Sequence, residues 1–236
     1  MTEIRVARDR AELVSEASGW LAREIGAAVG ERGQVSIALA GGSTPQPIHA
    51  RLAALDLPWE QVTIYFGDER CVAADDPESN FGQAERSLFG QLGSVRPEVR
   101  RMEGEDPDRL GAARRYDESL PDALDILILG IGDDGHTASL FPGAAALDEK
   151  QRRVLPVTGP KPPHERLTIT PPVVEAARRI LMIGAGPTKA KAIQRALEGS
   201  ESIRETPARI ARRGTWILDR AAASKLSRES THGESS

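Results

Sequence analysis

The stretch Asp125–Gly143, DILILGIGDDGHTASLFPG, decides the fold. Its first part, Ile126 to Leu129, is an unbroken apolar run. A strand with one wet face alternates apolar and polar residues, whereas a strand covered on both faces does not. The run therefore predicts a buried strand of a parallel sheet. Gly130, Gly132 and Gly135 follow at close spacing, so the chain turns sharply there or passes close to another group. Asp133, Asp134 and His136 lie inside that turn. Carboxylates beside an imidazole, which titrates near neutral pH, suit general acid–base chemistry. A glycine-rich strand-to-helix turn with capping aspartates and a surface histidine accounts for the same residues.

Working outward, the same alternation of short apolar runs and amphipathic stretches recurs. Ile4 to Ala7 reads as a strand, and Asp9 as the N-cap of a helix from Arg10 to about Glu31, with Leu13, Ala17, Leu21, Ile25 and Ala28 at helical spacing. Val35 to Ala40 is a second buried strand, followed by Gly41-Gly42-Ser43-Thr44 and by Pro45 in the first turn of a helix through Leu52. Val62 to Phe66 is a third strand, and GDERCVAADDPESN after it reads as a polar loop. Helices are expected over Phe81 to Leu88, capped by Asn80, and over Pro107 to Ser119. Beyond the opening stretch come short strands at Val154–Val157 and Leu167–Ile169 around the loop TGPKPPHER, and a helix from Pro172 to Ala177. Ile180–Ile183 is a strand, Lys189 to Leu197 a helix and Gly214–Leu218 a strand, with Asp219 opening a short helix. Strand–helix alternation throughout predicts an α/β fold with a doubly wound, mostly parallel sheet. No repeat or linker interrupts it, so one domain over residues 1–226 is expected, with a polar, serine-rich, disordered tail at 227–236. In such sheets the site lies beyond the carboxyl ends of the strands.

The chain has 236 residues, 39% hydrophobic and 28% charged, enough for a substantial core, and aromatic residues are only 4%, so Leu, Ile, Val and Ala must supply most of it. A formal net charge of -4 argues against a nucleic-acid or anionic-membrane binder, while leaving room for a local anion pocket. Cys71 is the one cysteine, so neither an intrachain disulfide nor a cysteine metal site can form. With no secretory h-region and no membrane-length apolar run, the expectation is a cytoplasmic protein, a monomer or small homo-oligomer.

Gly41, Gly42, Ser43 and Thr44 lie between a strand and a helix start, where free amides and the helix dipole favour phosphate. The lysine of a Walker loop is absent there, and so is GxGxxG, which disfavours ATP and dinucleotides. Asp68 and Arg70 open on the same rim, and Arg70 can hold a phosphate or a developing oxyanion. Lys161 and Arg166 flank a stiff proline pair and can present two cations to a doubly charged ligand. Gly184 to Lys189 imitates a phosphate loop, yet a plain strand-to-helix turn needs similar residues, so Lys189 and Lys191 are read as surface. The histidines show no HxxxH or HExxH spacing, and no GxSxG is present, so neither a metal nor a serine nucleophile is expected.

Together, LAGGSTP, FGDER with DPESNF, GIGDDGHTASLFPG and PKPPHERLTIT resemble the glucosamine-6-phosphate isomerase/6-phosphogluconolactonase family, and its lactonase branch in particular. The resemblance runs from the first helix to the last strand. It implies the modified Rossmann-like fold shared with the deaminase and ribose-5-phosphate isomerase. It also implies cofactor-free hydrolysis of a sugar-phosphate lactone, 6-phosphoglucono-δ-lactone, with His136 as the base, Asp134 supporting it and Arg70 stabilising charge. Gly41 to Thr44, Asp68, Lys161 and Arg166 would bind substrate. The deaminase branch carries Asn-Glu before the Pro-Gly, where this chain has Leu140 and Phe141. Its amino-sugar isomerisation needs several proton transfers, and the missing carboxylate points to the simpler lactone hydrolysis. A non-catalytic sugar-phosphate sensor is the remaining alternative, although no DNA-binding module accompanies the domain.

Overall fold

A computed structural model describes residues 2–227 and Ser230. Among the described residues, ten strands and six α-helices alternate along the chain. The first half comprises β1 (Glu3–Ala7), α1 (Arg10–Arg32), β2 (Val35–Leu39), α2 (Pro45–Ala53), β3 (Val62–Phe66), β4 (Asp68–Arg70), α3 (Asn80–Ser87), β5 (Glu98–Val99) and α4 (Arg109–Ser119). The second half comprises β6 (Ile126–Gly130), β7 (Val154–Thr158), β8 (Glu165–Ile169), α5 (Pro171–Ala176), β9 (Arg179–Gly184), α6 (Ala190–Leu197) and β10 (Thr215–Asp219).

Seven strands form one parallel sheet in the order β1-β10-β9-β6-β2-β3-β5. The apolar runs explain why it is covered on both sides. Along β6, Leu127 and Leu129 enter one core, whereas Ile126 and Ile128 enter the other. In β9, Ile180 and Met182 face the first core while Leu181 and Ile183 face the second. Helix α1 closes one face with Leu13, Ala17, Leu21, Ile25 and Ala28, all buried. Its ends follow the expected chemistry: Asp9 accepts from the Glu12 amide, and Gly33 at φ 74 donates to the Val29 carbonyl.

Four elements differ from the expected ones. The polar loop after β3 contains β4, which joins β8 and β7 in a second, antiparallel sheet of order β4-β8-β7. Three residues are too few to show a period, so this strand exists only through its partner. The two-residue β5 was missed for the same reason. Helix α3 is capped by Ser79, whose hydroxyl accepts from the Gly82 amide, whereas the Asn80 side chain turns away to donate to Asp68. After β10 come turns, not a helix; the Asp219 carboxylate accepts from the Ala222 amide, as a cap would, and also from the Gly186 amide. The expected disordered tail lies mostly outside the described residues; Ser227 and Ser230 are described, and both hydroxyls donate to Glu198.

One buried titratable group gives the fold a pH dependence. His49 on α2 is 2% exposed, and its Nδ1 lies 3.2 Å from the Ser87 hydroxyl on α3. Burial pushes its pKa from 6.5 down to about 4. Between those values the unfolded chain binds a proton that the folded chain refuses, so stability is complete above pH 6.5 and falls as pH drops through the window. A gap of that width corresponds to about 3 kcal/mol. Denaturant titrations at pH 7 and pH 4.5 should show most of this loss in the native protein and little of it in His49→Leu.

Candidate active site

Beyond the carboxyl ends of β2, β6 and β9 lies a cavity of about 280 Å³, sized for a small metabolite rather than a dinucleotide. It sits where the strand order turns from β2–β3 on one side to β6–β9 on the other, the place such sheets bind ligands. Gly41 to Thr44, Asp68, Arg70, Gly130 to Gly132, His136, Arg166 and Lys189 line it.

The His136 loop is built by its glycines. The Gly132 amide donates to the His136 carbonyl at 2.8 Å, and the Gly135 amide donates to the Gly132 carbonyl at 3.1 Å, with Gly135 at φ 95. Inside this tight loop, Asp134 Oδ1 accepts from the His136 amide at 3.0 Å and meets the ring Nδ1 at 2.6 Å. Burial opposes ionisation of Asp134, but the hydrogen bonds from the His136 ring and amide outweigh it and hold the carboxyl at about 2. A carboxylate can only accept, so Nδ1 carries the proton and, in the neutral ring, Nε2 is the nitrogen with the lone pair. Phe141 packs on the other side of the imidazole, centroids 4.8 Å apart at 47°. Leu140 beside it is fully buried in a small satellite cluster. The position where the deaminase branch carries a carboxylate thus holds an apolar wall against the histidine. Asp134 does not line the cavity itself and touches it only through His136.

The antiparallel sheet supplies the cations. In its register Arg70 stands directly opposite Arg166, and Asp68 opposite Thr168. Opposed residues of an antiparallel pair project to the same face, so two guanidinium groups crowd one wall of the cavity. Like charges so placed repel unless an anion joins them. Arg166 is 9% exposed, and burial pushes its pKa down, with Arg70 adding to the shift and Asp68, 4.0 Å away, opposing it. Asp68 also accepts from Ser139 Oγ at 2.6 Å and Asn80 Nδ2 at 3.1 Å. Its carboxylate is therefore suited to fixing Arg166 or a ligand hydroxyl, and repels phosphate.

The expected pairing of Lys161 with Arg166 separates in space. Arg166 turns into the cavity, whereas the Lys161 ammonium is 72% exposed and sits 3.5 Å from Asp133 at the rim. Lys189, read as surface, lines the cavity instead. The turn before it is held by Asp219 through the Gly186 amide, so its direction is set by a residue 30 positions downstream of the lysine. At the glycine loop, the Gly42 amide (φ 102) is already donated to Gln83 Oε1 at 2.9 Å, which leaves Ser43 and Thr44 to face an anion. Gln83 was not legible as a site residue. Neither was Asn80, which lines the cavity and lies so close to Gly41 that an added Cβ there would fall 1.8 Å from its Oδ1. Among the described residues, no group of His, Cys, Asp and Glu is arranged to hold a metal ion, and no helix is long and apolar enough to cross a membrane.

With the geometry established, comparison with known proteins gives a consistent result. Residues 8–218 match the family model described as glucosamine-6-phosphate isomerases/6-phosphogluconolactonase. A 6-phosphogluconolactonase of Nostoc sp. is 32% identical over 237 residues, covering 95% of this chain and 98% of the relative. The solved structure of 6-phosphogluconolactonase from Trypanosoma brucei superposes with TM-score 0.86 at 27% identity, covering 96% of this chain and 99% of that one. A monomeric glucosamine-6-phosphate deaminase also superposes, with TM-score 0.81 at 27% identity and coverage of 94% and 99%. The fold is common to both branches, and with a match over nearly its whole length the chain belongs to the glucosamine-6-phosphate isomerase/6-phosphogluconolactonase family.

Proposed function

We propose that this chain hydrolyses 6-phosphoglucono-δ-lactone to 6-phosphogluconate in the oxidative pentose phosphate pathway, in the cytoplasm, with residues 1–226 as the catalytic domain. The observation that carries this reading is the environment of His136: Nδ1 is held by Asp134, and Phe141 covers the ring where a deaminase would place a carboxylate. Such a histidine is one base with a free Nε2, which is what water attack on a lactone requires.

In this mechanism His136 Nε2 takes a proton from water as the water oxygen attacks C1. The tetrahedral intermediate then expels the ring oxygen, which receives that proton from the imidazolium as the C1–O bond breaks. The acid so formed ionises and releases one proton to solvent. Asp134 is an anion throughout, so it stabilises the imidazolium and fixes its tautomer. Arg70 faces the developing oxyanion, while Arg166, Lys189 and the Ser43 and Thr44 amides hold the 6-phosphate. Binding energy gained at the phosphate orients the carbonyl at the far end.

Proton release on adding freshly prepared 6-phosphogluconolactone, against the spontaneous rate, tests the reading. Acceleration is expected. Binding without acceleration would identify a sensor, and ammonia release from glucosamine 6-phosphate would identify a deaminase. The cation assignment has its own check in steady-state kinetics. A charge-assisted hydrogen bond contributes about 1.5–3 kcal/mol, so Lys189→Met should raise KM by about tenfold or more with kcat nearly unchanged. Lys161→Met, at the solvated rim, should raise it less than about threefold.

A further inference from the structure

The catalytic loop is held from behind by a residue with no part in the cavity, and its role rests on the reading of His136 given above. The loop from Ile131 to Ala138 has no helix to stiffen it, and two of its residues, Gly135 and Ala138, take positive φ values of 95 and 47. A segment so strained keeps one conformation only when neighbours over-determine it. The ties come from α6 and the turn after it. Arg195 Nη2 donates to the Asp134 carbonyl at 2.8 Å and reaches the Glu205 carbonyl at 3.4 Å. The Ala208 amide donates to the Gly135 carbonyl at 2.9 Å. Arg209 Nη1 in turn donates to the Arg195 carbonyl at 2.8 Å. The approach is close: a Cβ on Gly135 would lie 3.0 Å from Arg195 Nη2.

We propose that Arg195 is a positioning residue for the Asp134–His136 pair, fixing the imidazole in register with the cavity by clamping the Asp134 peptide. Three features favour this over general loop stapling. The donor is a cation, so the hydrogen bond is of the stronger kind. The accepting carbonyl belongs to the residue whose side chain orients the histidine, so rotation of that peptide moves the carboxylate directly. The guanidinium reaches across 61 residues of sequence, so it anchors the loop to a separate element of the fold.

Arg195→Met keeps the aliphatic bulk and removes the donors, while Arg195→Lys restores one cationic donor. Displacing a catalytic group by a fraction of an ångström to an ångström typically costs about 10- to 100-fold in rate. For Arg195→Met we expect kcat to fall by that much with KM within about twofold, and Arg195→Lys to recover part of the loss. In an Asp134→Asn background the same Arg195→Met change should cost less than about threefold, because the coupling runs through Asp134. Equal losses in both backgrounds, or unchanged kcat, would overturn the proposal. A second readout is independent of turnover. The pH titration of the His136 ring, followed by NMR, should shift in Arg195→Met relative to the native protein, but not in the double variant relative to Asp134→Asn. An unshifted titration in folded Arg195→Met overturns the clamp even if the lactone proves to be the wrong substrate. Absence of lactone hydrolysis by the native protein refutes the proposed function alone.

Discussion

His136→Ala is expected to lower kcat by about 10³-fold while changing KM by less than about threefold. The imidazole lines the cavity, and with the Nδ1 proton held by Asp134 the neutral ring presents Nε2 as its basic nitrogen. Removing the ring leaves the cations and amides that bind the phosphate in place, so affinity should survive. The missing base is not replaced by its neighbours. Asp134, held at about 2, is too weak a base, and it lies behind the ring rather than on the cavity wall. Stopped-flow proton release under single-turnover conditions separates the chemical step from binding. A variant retaining more than about a tenth of native turnover would remove His136 from the base role.

Gly132→Ala should be nearly as damaging to turnover, at about 10²-fold in kcat, with the fold intact. An added Cβ would fall 2.1 Å from His136 Nδ1, 2.3 Å from its Cε1 and 2.6 Å from Asp134 Oδ1. Such distances cannot be absorbed by small adjustments, so the ring must leave its place and the Nδ1–Oδ1 bond must break. Gly132 does not adopt a positive φ, so alanine meets no backbone penalty and stability should change little. Gly135→Ala differs in that stability falls as well. Its φ of 95 makes any side chain costly, about 1 kcal/mol or more, and its nearest neighbours are Arg195 and Thr206 rather than the histidine. Measuring kcat and the urea midpoint for both variants distinguishes loss of ring placement from loss of fold. A Gly132→Ala enzyme with native kcat would mean that the imidazole works from a different position.

These contrasts show how far a one-dimensional reading reaches. The parallel sheet was legible because burial on both faces leaves a signature in each strand separately, as in Ile126–Leu129 and Ile180–Ile183. The caps of α1 were legible because Asp9 and Gly33 act within their own turn. Strand β4 was not legible, since a three-residue strand carries no period and is defined by its register with β8. Lys189 was discounted because its loop looks like any strand-to-helix turn. What turns that lysine toward the cavity is Asp219, which ties the Gly186 amide.

The division follows from the range of the forces involved. The sequence by itself determined the alternation of the parallel strands with their flanking helices and the glycine-rich turns at the strand ends, because local periodicity and glycine placement encode them. Only the tertiary structure decided that Arg166 and not Lys161 enters the cavity, that Arg70 stands opposite it, and that the Phe141 ring packs against His136. Those contacts depend on strand register and on side-chain packing between distant segments, and no local pattern of residues specifies which of two neighbouring cations a folded loop will turn inward.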